Sequence, residues 1–343
     1  MSQTRMLFAV AALLSAVLPA AALDQIQKTE GSPTGGKILE ITPIKVKYEQ
    51  NGKEVELDVN QIQSIQFEGE APGMKTLRKH IQEGRWEEAL SVLEKLEAVA
   101  ATRKEVAADM QFYKALASAK LALAGTGAIR DAGNLLLAFV KEQPNSYHFL
   151  EAAEVLGQML ALSGNYAMAS EYYQKLFDAP WPDYKMRAGA ALGRCLLAQQ
   201  KFAEAEKAYQ GVLAIQAKGE AAQQLRIAAT LGSLRCQLES GKPEDVIAQA
   251  EKIVADTNPE QKEIMAQAYN VLGNALRKLQ RNEDAVMAFL HVDLLYSSVA
   301  ESHAEALANL VDLWSTIQQA ERAARCRRIL EERYPNSIWA RKG

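Results

Sequence analysis

Two hydrophobic rhythms divide the chain. Between residues 37 and 70 apolar and polar positions alternate, with Val46 and Tyr48 followed by Val55, Leu57 and Val59. A period of two predicts half-buried strands. Gln50-Asn51-Gly52-Lys53 separates the two runs, and Asn-Gly suits a two-residue hairpin because both turn positions need positive φ. Ile38 and Ile41 before, and Ile62, Ile65 and Phe67 after, predict flanking strands, with Pro43 marking a strand start or a break. About 35 residues in four or five short strands bury little surface alone, so this small all-β module must lean on the rest of the chain or on a partner. The preceding segment, 23–36, is polar and carries Gly, Ser and Pro. It reads as a flexible linker.

From residue 74 to 340 the rhythm is helical. Aligning the chain on the small residue after each turn places Ala89, Ala132, Ala169, Ala205, Val246, Ala285 and Ala323 in register, at intervals of 36 to 43 residues. Four residues later comes a large side chain in five of these segments: Leu93, Leu136, Tyr173, Tyr209 and Phe289. Positions four apart share a helix face, so the small residue admits a neighbouring helix and the large one fills the gap above it. Leu-Gly pairs recur upstream at 156–157, 192–193, 231–232 and 272–273. Glycine inside a helix costs about 1 kcal/mol relative to alanine, so its recurrence at one place implies close approach to another helix. A period in this range, each unit one helical hairpin, predicts an α-solenoid of about seven hairpins.

These residues also resemble a known family. Gly157, Ala169 and Tyr173 are similar to the tetratricopeptide (TPR) pattern of glycine, alanine twelve later and an aromatic four beyond. Gly193, Ala205 and Tyr209 repeat it, as do Gly273, Ala285 and Phe289. Pro144 and Pro335 stand where family units end their second helix. Some units lack the Leu-Gly step at the family distance, and most intervals exceed the family's length of about 34 residues. Curvature is therefore not carried over. The β module weakly resembles small SH3-like or LSm-like barrels.

The start of the chain adds a location. Arg5 precedes an apolar run from Met6 to Leu18, then Pro19 and Ala20-Ala21-Ala22. That order predicts a signal peptide over residues 1–22, cleaved after Ala22, and an exported, periplasmic or secreted product. An uncleaved anchor is the alternative, since the apolar stretch nears the length of a membrane span. A net charge of −3 lacks the excess of Lys and Arg that nucleic-acid binding needs.

Chemistry is sparse. The four histidines are scattered and outside any metal-ligand spacing, and His303 with Glu305 reads as part of a solvated helix face. Cys195, Cys236 and Cys326 form no CxxC pair, and the first two read as small buried hydrophobes. No nucleophile elbow, phosphate loop or dinucleotide fingerprint occurs. A non-catalytic protein without a cofactor is the expectation.

What remains is binding surface. The TPR resemblance implies a concave groove lined by the first helix of each pair, and implies that Gln158, Arg194, Asn270, Asn274 and Arg277 project into it, with Arg187 a turn away. The Arg and Asn residues look like part of the carboxylate-binding clamp of some TPR domains. A basic C-terminal patch, Arg322, Arg325, Arg327 and Arg328, serves either to cap the stack or to attract an acidic partner or anionic lipid. The YPNS ending also looks like repeat ends of bacterial envelope TPR proteins. The implied function is an exported cell-envelope scaffold binding a protein or peptide, with membrane contact at most peripheral. A second reading makes the chain an accessory subunit of an envelope complex, attached through its β module.

Overall fold

The computed structural model describes residues 23–98, 103–335 and 337–340. The signal peptide expected over residues 1–22 lies outside the described residues. The N-terminal part is a five-stranded antiparallel sheet in the order β4-β3-β2-β1-β5: β1 Asp24–Lys28, β2 Thr34–Ile41, β3 Lys45–Gln50, β4 Lys53–Asp58 and β5 Ile62–Gln66. A single 3-10 turn, Val59–Gln61, leads into β5. The Asn51-Gly52 turn forms as expected, with φ of 54° and 74°.

The linker expectation for residues 23–36 is overturned. β1 lies within that segment and sits between β2 and β5. Its five residues, DQIQK, contain one apolar side chain, Ile26, which is fully buried, so alternation was invisible. The glycines that suggested flexibility are a bend. Residues 34–36 pair with β1 and residues 37–41 with β3. A Cβ on Gly36 would lie 2.2 Å from the Glu49 carbonyl oxygen, so only glycine fits where β2 turns between the two halves.

Fourteen helices follow among the described residues, as seven hairpins: α1 Gly73–Gln82 with α2 Trp86–Glu97, α3 Lys104–Leu123 with α4 Ile129–Glu142, and α5 Phe149–Leu162 with α6 Tyr166–Phe177. Then come α7 Pro182–Ala198 with α8 Phe202–Leu213, and α9 Glu220–Ser240 with α10 Pro243–Asp256. The last two pairs are α11 Lys262–Lys278 with α12 Asn282–Leu295, and α13 Ala300–Thr316 with α14 Ala320–Arg333. All seven aligned small residues are buried, and so are the five large ones that follow them. The chain is a TPR-like α-solenoid.

The glycines act on side chains rather than on a neighbouring backbone. A Cβ on Gly157 would lie 2.9 Å from the Tyr173 ring, and one on Gly273 would lie 2.7 Å from the Phe289 ring. Tyr209 lies between two of them: the same test gives 2.5 Å at Gly193 and 2.2 Å at Gly232. In α6, α8 and α12 an aromatic ring of the second helix thus beds onto a glycine of a first helix, which fixes the helix spacing there by hard contact.

The sheet is fastened to the array rather than hung from it. Asp24, buried at the start of β1, accepts from the backbone N–H of Ile38 (3.1 Å) and Glu68 (2.8 Å) and from Arg103 Nη1 (2.7 Å), just before α3. Arg78 of α1 makes a paired contact to Glu70 (2.6 and 2.8 Å) and reaches Asp109 of α3 at 3.1 Å. Trp181, at the N-terminus of α7, donates to Asp58 at the end of β4 (3.4 Å). Ile26, Val46, Ile65 and Phe67 join the core of the first hairpins. The module therefore takes its missing core from the solenoid, as its size requires.

Candidate functional site on the inner face

The first helices of the hairpins form an inner layer: α3 packs on α5, α7 on α9, α9 on α11, and α11 on α13. No pair of second helices makes contact of that extent. Between α5 and α7 the inner contact thins, and the seam is bridged by charge. Arg187 donates from Nε and Nη2 to the two oxygens of Glu154 (2.9 and 3.2 Å), reaches Asp183 at 3.2 Å and lies 4.6 Å over the Tyr184 ring.

Gln158 on α5 and Arg194 on α7 are exposed on this seam. Arg194 makes no hydrogen bond or ion pair with any described residue. Glu151, on the same helix as Gln158, keeps 54% of its side-chain surface open, while neighbouring protein atoms partly desolvate its carboxyl. This desolvation raises its carboxyl above the ordinary carboxylate range, against the opposing charge of His148. Burial likewise pushes the Tyr184 hydroxyl up to about 12.

The later inner helices behave differently. Asn270 does not face an open groove: it is fully buried between α11 and α13. Its Nδ2 donates to the Ser302 carbonyl (2.9 Å) and to Glu305 Oε2 (3.2 Å). Asn274 Nδ2 donates to Glu305 Oε1 (3.1 Å), and Arg235 Nη2 of α9 donates to Glu305 Oε2 (2.8 Å). Arg277 is tied to Asn309 (2.6 Å) and Asp312 (3.0 Å). The residues resembling a carboxylate clamp thus already hold a carboxylate, from the chain itself.

The solvated-face reading of His303 and Glu305 is overturned for the same reason. Glu305 is 4% exposed, and His303 is buried, 2.7 Å from the Tyr334 hydroxyl and 2.8 Å from Asp293. In α9, Ala229, Ser233 and Cys236, at positions equivalent to those assigned to the groove, are also buried. They are covered from the fourth hairpin: Ser233 donates to Glu206 Oε1 of α8 at 2.8 Å, and Ala229 and Cys236 share a core with Met186 and Leu196 of α7 and Tyr209 of α8.

Arg235 and Glu305 were missed by spacing rules, since neither stands at a family groove position. A signal exists all the same. In α13 the buried residues run almost without a break from Ser302 to Val311, and small or apolar side chains occupy every side of the helix. A helix apolar all round is a buried one, and a carboxylate on it needs a partner.

The basic residues of α14 lie on its surface. Arg322 stacks 4.7 Å over the Trp314 ring, and Arg325, Arg327 and Arg328 are exposed. Cys195, Cys236 and Cys326 are buried free thiols, as expected of the first two, and burial raises them to about 11, 12 and 11 respectively. No helix among the described residues is long and apolar enough to cross a membrane.

No protein-family model matches the chain, and no curated protein matches it. Similar solved structures exist. The pilF protein of Pseudomonas aeruginosa is 16% identical over 70% of this chain and 98% of its own, with a TM-score of 0.42. PilW, a widely conserved type IV pilus biogenesis factor, is 16% identical over 69% of this chain and 97% of its own, with a TM-score of 0.45. The apo form of RapI is 12% identical over 79% of this chain and 78% of its own, with a TM-score of 0.49. At such low identities and scores the architecture stands on the seven hairpins themselves.

Proposed function

We propose that the protein is an exported, non-catalytic scaffold of the cell envelope that receives a protein or peptide segment on the inner face of its solenoid. The observation that carries this reading is the contrast between seams. Arg235 of α9, Asn270 and Asn274 of α11 and Glu305 of α13 bond to one another, whereas Gln158 and Arg194 stand exposed on α5 and α7. An unpaired guanidinium in a concave face is a strong, directional donor for a partner's carboxylate or carbonyl groups. Export rests on the order of charge, apolar run and small residues in 1–22.

Photo-reactive side chains at positions 158 and 194 test the site in cells. They should capture the same partner, and Arg194→Glu should abolish capture by a group at 158. Capture no stronger than from Gln249, exposed on α10, would overturn the reading. The N-terminus of the protein recovered from envelope fractions should be Leu23; recovery only from the cytoplasm with its leader intact would refute export.

A further inference from the structure

The carboxylate of Glu305 is gripped by two helices besides its own. Arg235 of α9 and Asn270 of α11 meet at Oε2, and Asn274 of α11 meets Oε1, all within 3.2 Å. Helices α9 and α13 are not neighbours in the array, because α11 stands between them. The contact therefore ties the seventh hairpin back to the fifth. Glu305 itself is sealed, while the Arg235 side chain keeps 29% of its surface open. The Oδ1 atom of Asn270 is buried without a partner among the described residues.

Stability alone gives no reason for such a set. A buried ion pair seldom outperforms apolar packing of equal volume, and an unsatisfied acceptor adds a penalty. The best-attested use of such groups is to select one arrangement among several that pack similarly. Here the arrangement selected is curvature, since the grip spans a whole hairpin.

We propose that Glu305 is a built-in ligand that locks the C-terminal half of the array in its closed curvature, and that Arg235, Asn270 and Asn274 form a socket for a carboxylate from outside once Glu305 is withdrawn. The socket has one charged donor open to the inner face and two amide donors behind it, which suits a carboxylate and not a spherical halide. With the socket empty, α13 loses its tie to α9 and the inner face widens between them. This goes beyond the scaffold reading, and the α5–α7 seam plays no part in it.

The test is chemical rescue of Glu305→Ala. This variant should melt about 5 °C or more below the parent protein, and its radius of gyration in small-angle scattering should increase. Sodium formate should recover at least half of both changes, and sodium chloride at equal ionic strength should recover neither. The double variant R235A/E305A should show no response to formate. Equal effects of formate and chloride, or an unchanged scattering radius, would overturn the proposal. Should Glu305→Ala fail to fold, Glu305→Gln keeps the shape and removes the charge. Amide hydrogen exchange in residues 220–240 and 300–316 should then accelerate by about tenfold, with α3 and α4 unaffected; exchange equal to the parent's would count against the lock.

Discussion

The inner layer is joined at two seams by the same chemical pair in different settings. At the α5–α7 seam, Arg187 holds Glu154 where both side chains are about one-third exposed. At the α9–α13 seam, Arg235 holds a Glu305 that is almost wholly sealed, with two asparagines completing its hydrogen bonds. Water screens the first pair, and it has little access to the second carboxylate. The difference shows that setting, not residue type, separates an adjustable rim contact from a structural tie. It also separates Arg194, which is exposed and makes no ion pair with a described residue, from Arg235 and Arg277, which are tied to partners on α13.

Removing the two arginines tests that distinction most severely. Arg235→Ala leaves Glu305 buried with only amide donors and should cost about 3 kcal/mol. Arg187→Ala leaves Glu154 in contact with water and should cost under about 1 kcal/mol. Denaturant titration followed by circular dichroism reads both. Similar losses at the two sites would show that the seams differ in appearance only.

A steric version of the comparison is weaker but sharper in position. In the first two hairpins the large partner residues are Leu93 and Leu136 instead of rings, and a Cβ on the turn glycine Gly84 would meet the Trp86 ring only at an ordinary 3.7 Å. In the later hairpins rings press onto glycines, Tyr209 onto two of them. Gly232→Ala therefore drives a methyl group against the Tyr209 ring and should cost about 1–3 kcal/mol. Gly133→Ala in α4 meets nothing within 4 Å and should stabilise its helix by up to about 1 kcal/mol. The pair is read by thermal melts of the two variants against the parent. A neutral Gly232→Ala would mean that the ring contact does not set hairpin spacing.

Much of this was legible because it is local. The aligned small residue belongs to one hairpin each time, and in the third, fourth and sixth so do the glycine and the ring that beds on it, so their spacing survives in the sequence. The Asn51-Gly52 turn is local too. What escaped was contact across distance or across composition. The Arg235–Glu305 tie joins residues 70 apart in sequence, and its only trace is the stretch of mostly small or apolar residues from Ser302 to Val311 in α13. β1 escaped because a five-residue strand with one buried side chain has no rhythm to read, and its linker-like glycines are needed for a tight bend. Of the residues expected in the groove, Gln158, Arg194 and Arg277 are exposed. Asn270 is not, because it packs against Ser302 and Glu305 of α13, a partner that lies outside its own repeat.

The turns inside the hairpins extend the comparison to the smallest effect. In hairpins one and three the left-handed residue of the turn is Gly84 and Gly164, with φ of 68° and 78°. In the fourth, sixth and seventh it is Gln200, Gln280 and Gln318, with φ of 59°, 59° and 61°. A side chain there crowds the following carbonyl and costs roughly 1–2 kcal/mol, partly offset because glycine gives the unfolded chain more freedom. Gln280→Gly should therefore raise stability by about 0.5–1 kcal/mol, seen as a small upward shift in melting temperature. The turn is exposed and the backbone already adopts the conformation glycine prefers, so no packing change competes with this gain. The same substitution also separates two accounts of the closed half. If its curvature depends on strained turns, relaxing one will loosen α11 and α13 and speed their hydrogen exchange. If the Glu305 grip sets the curvature, exchange in those helices will stay the same or slow while the protein gains stability.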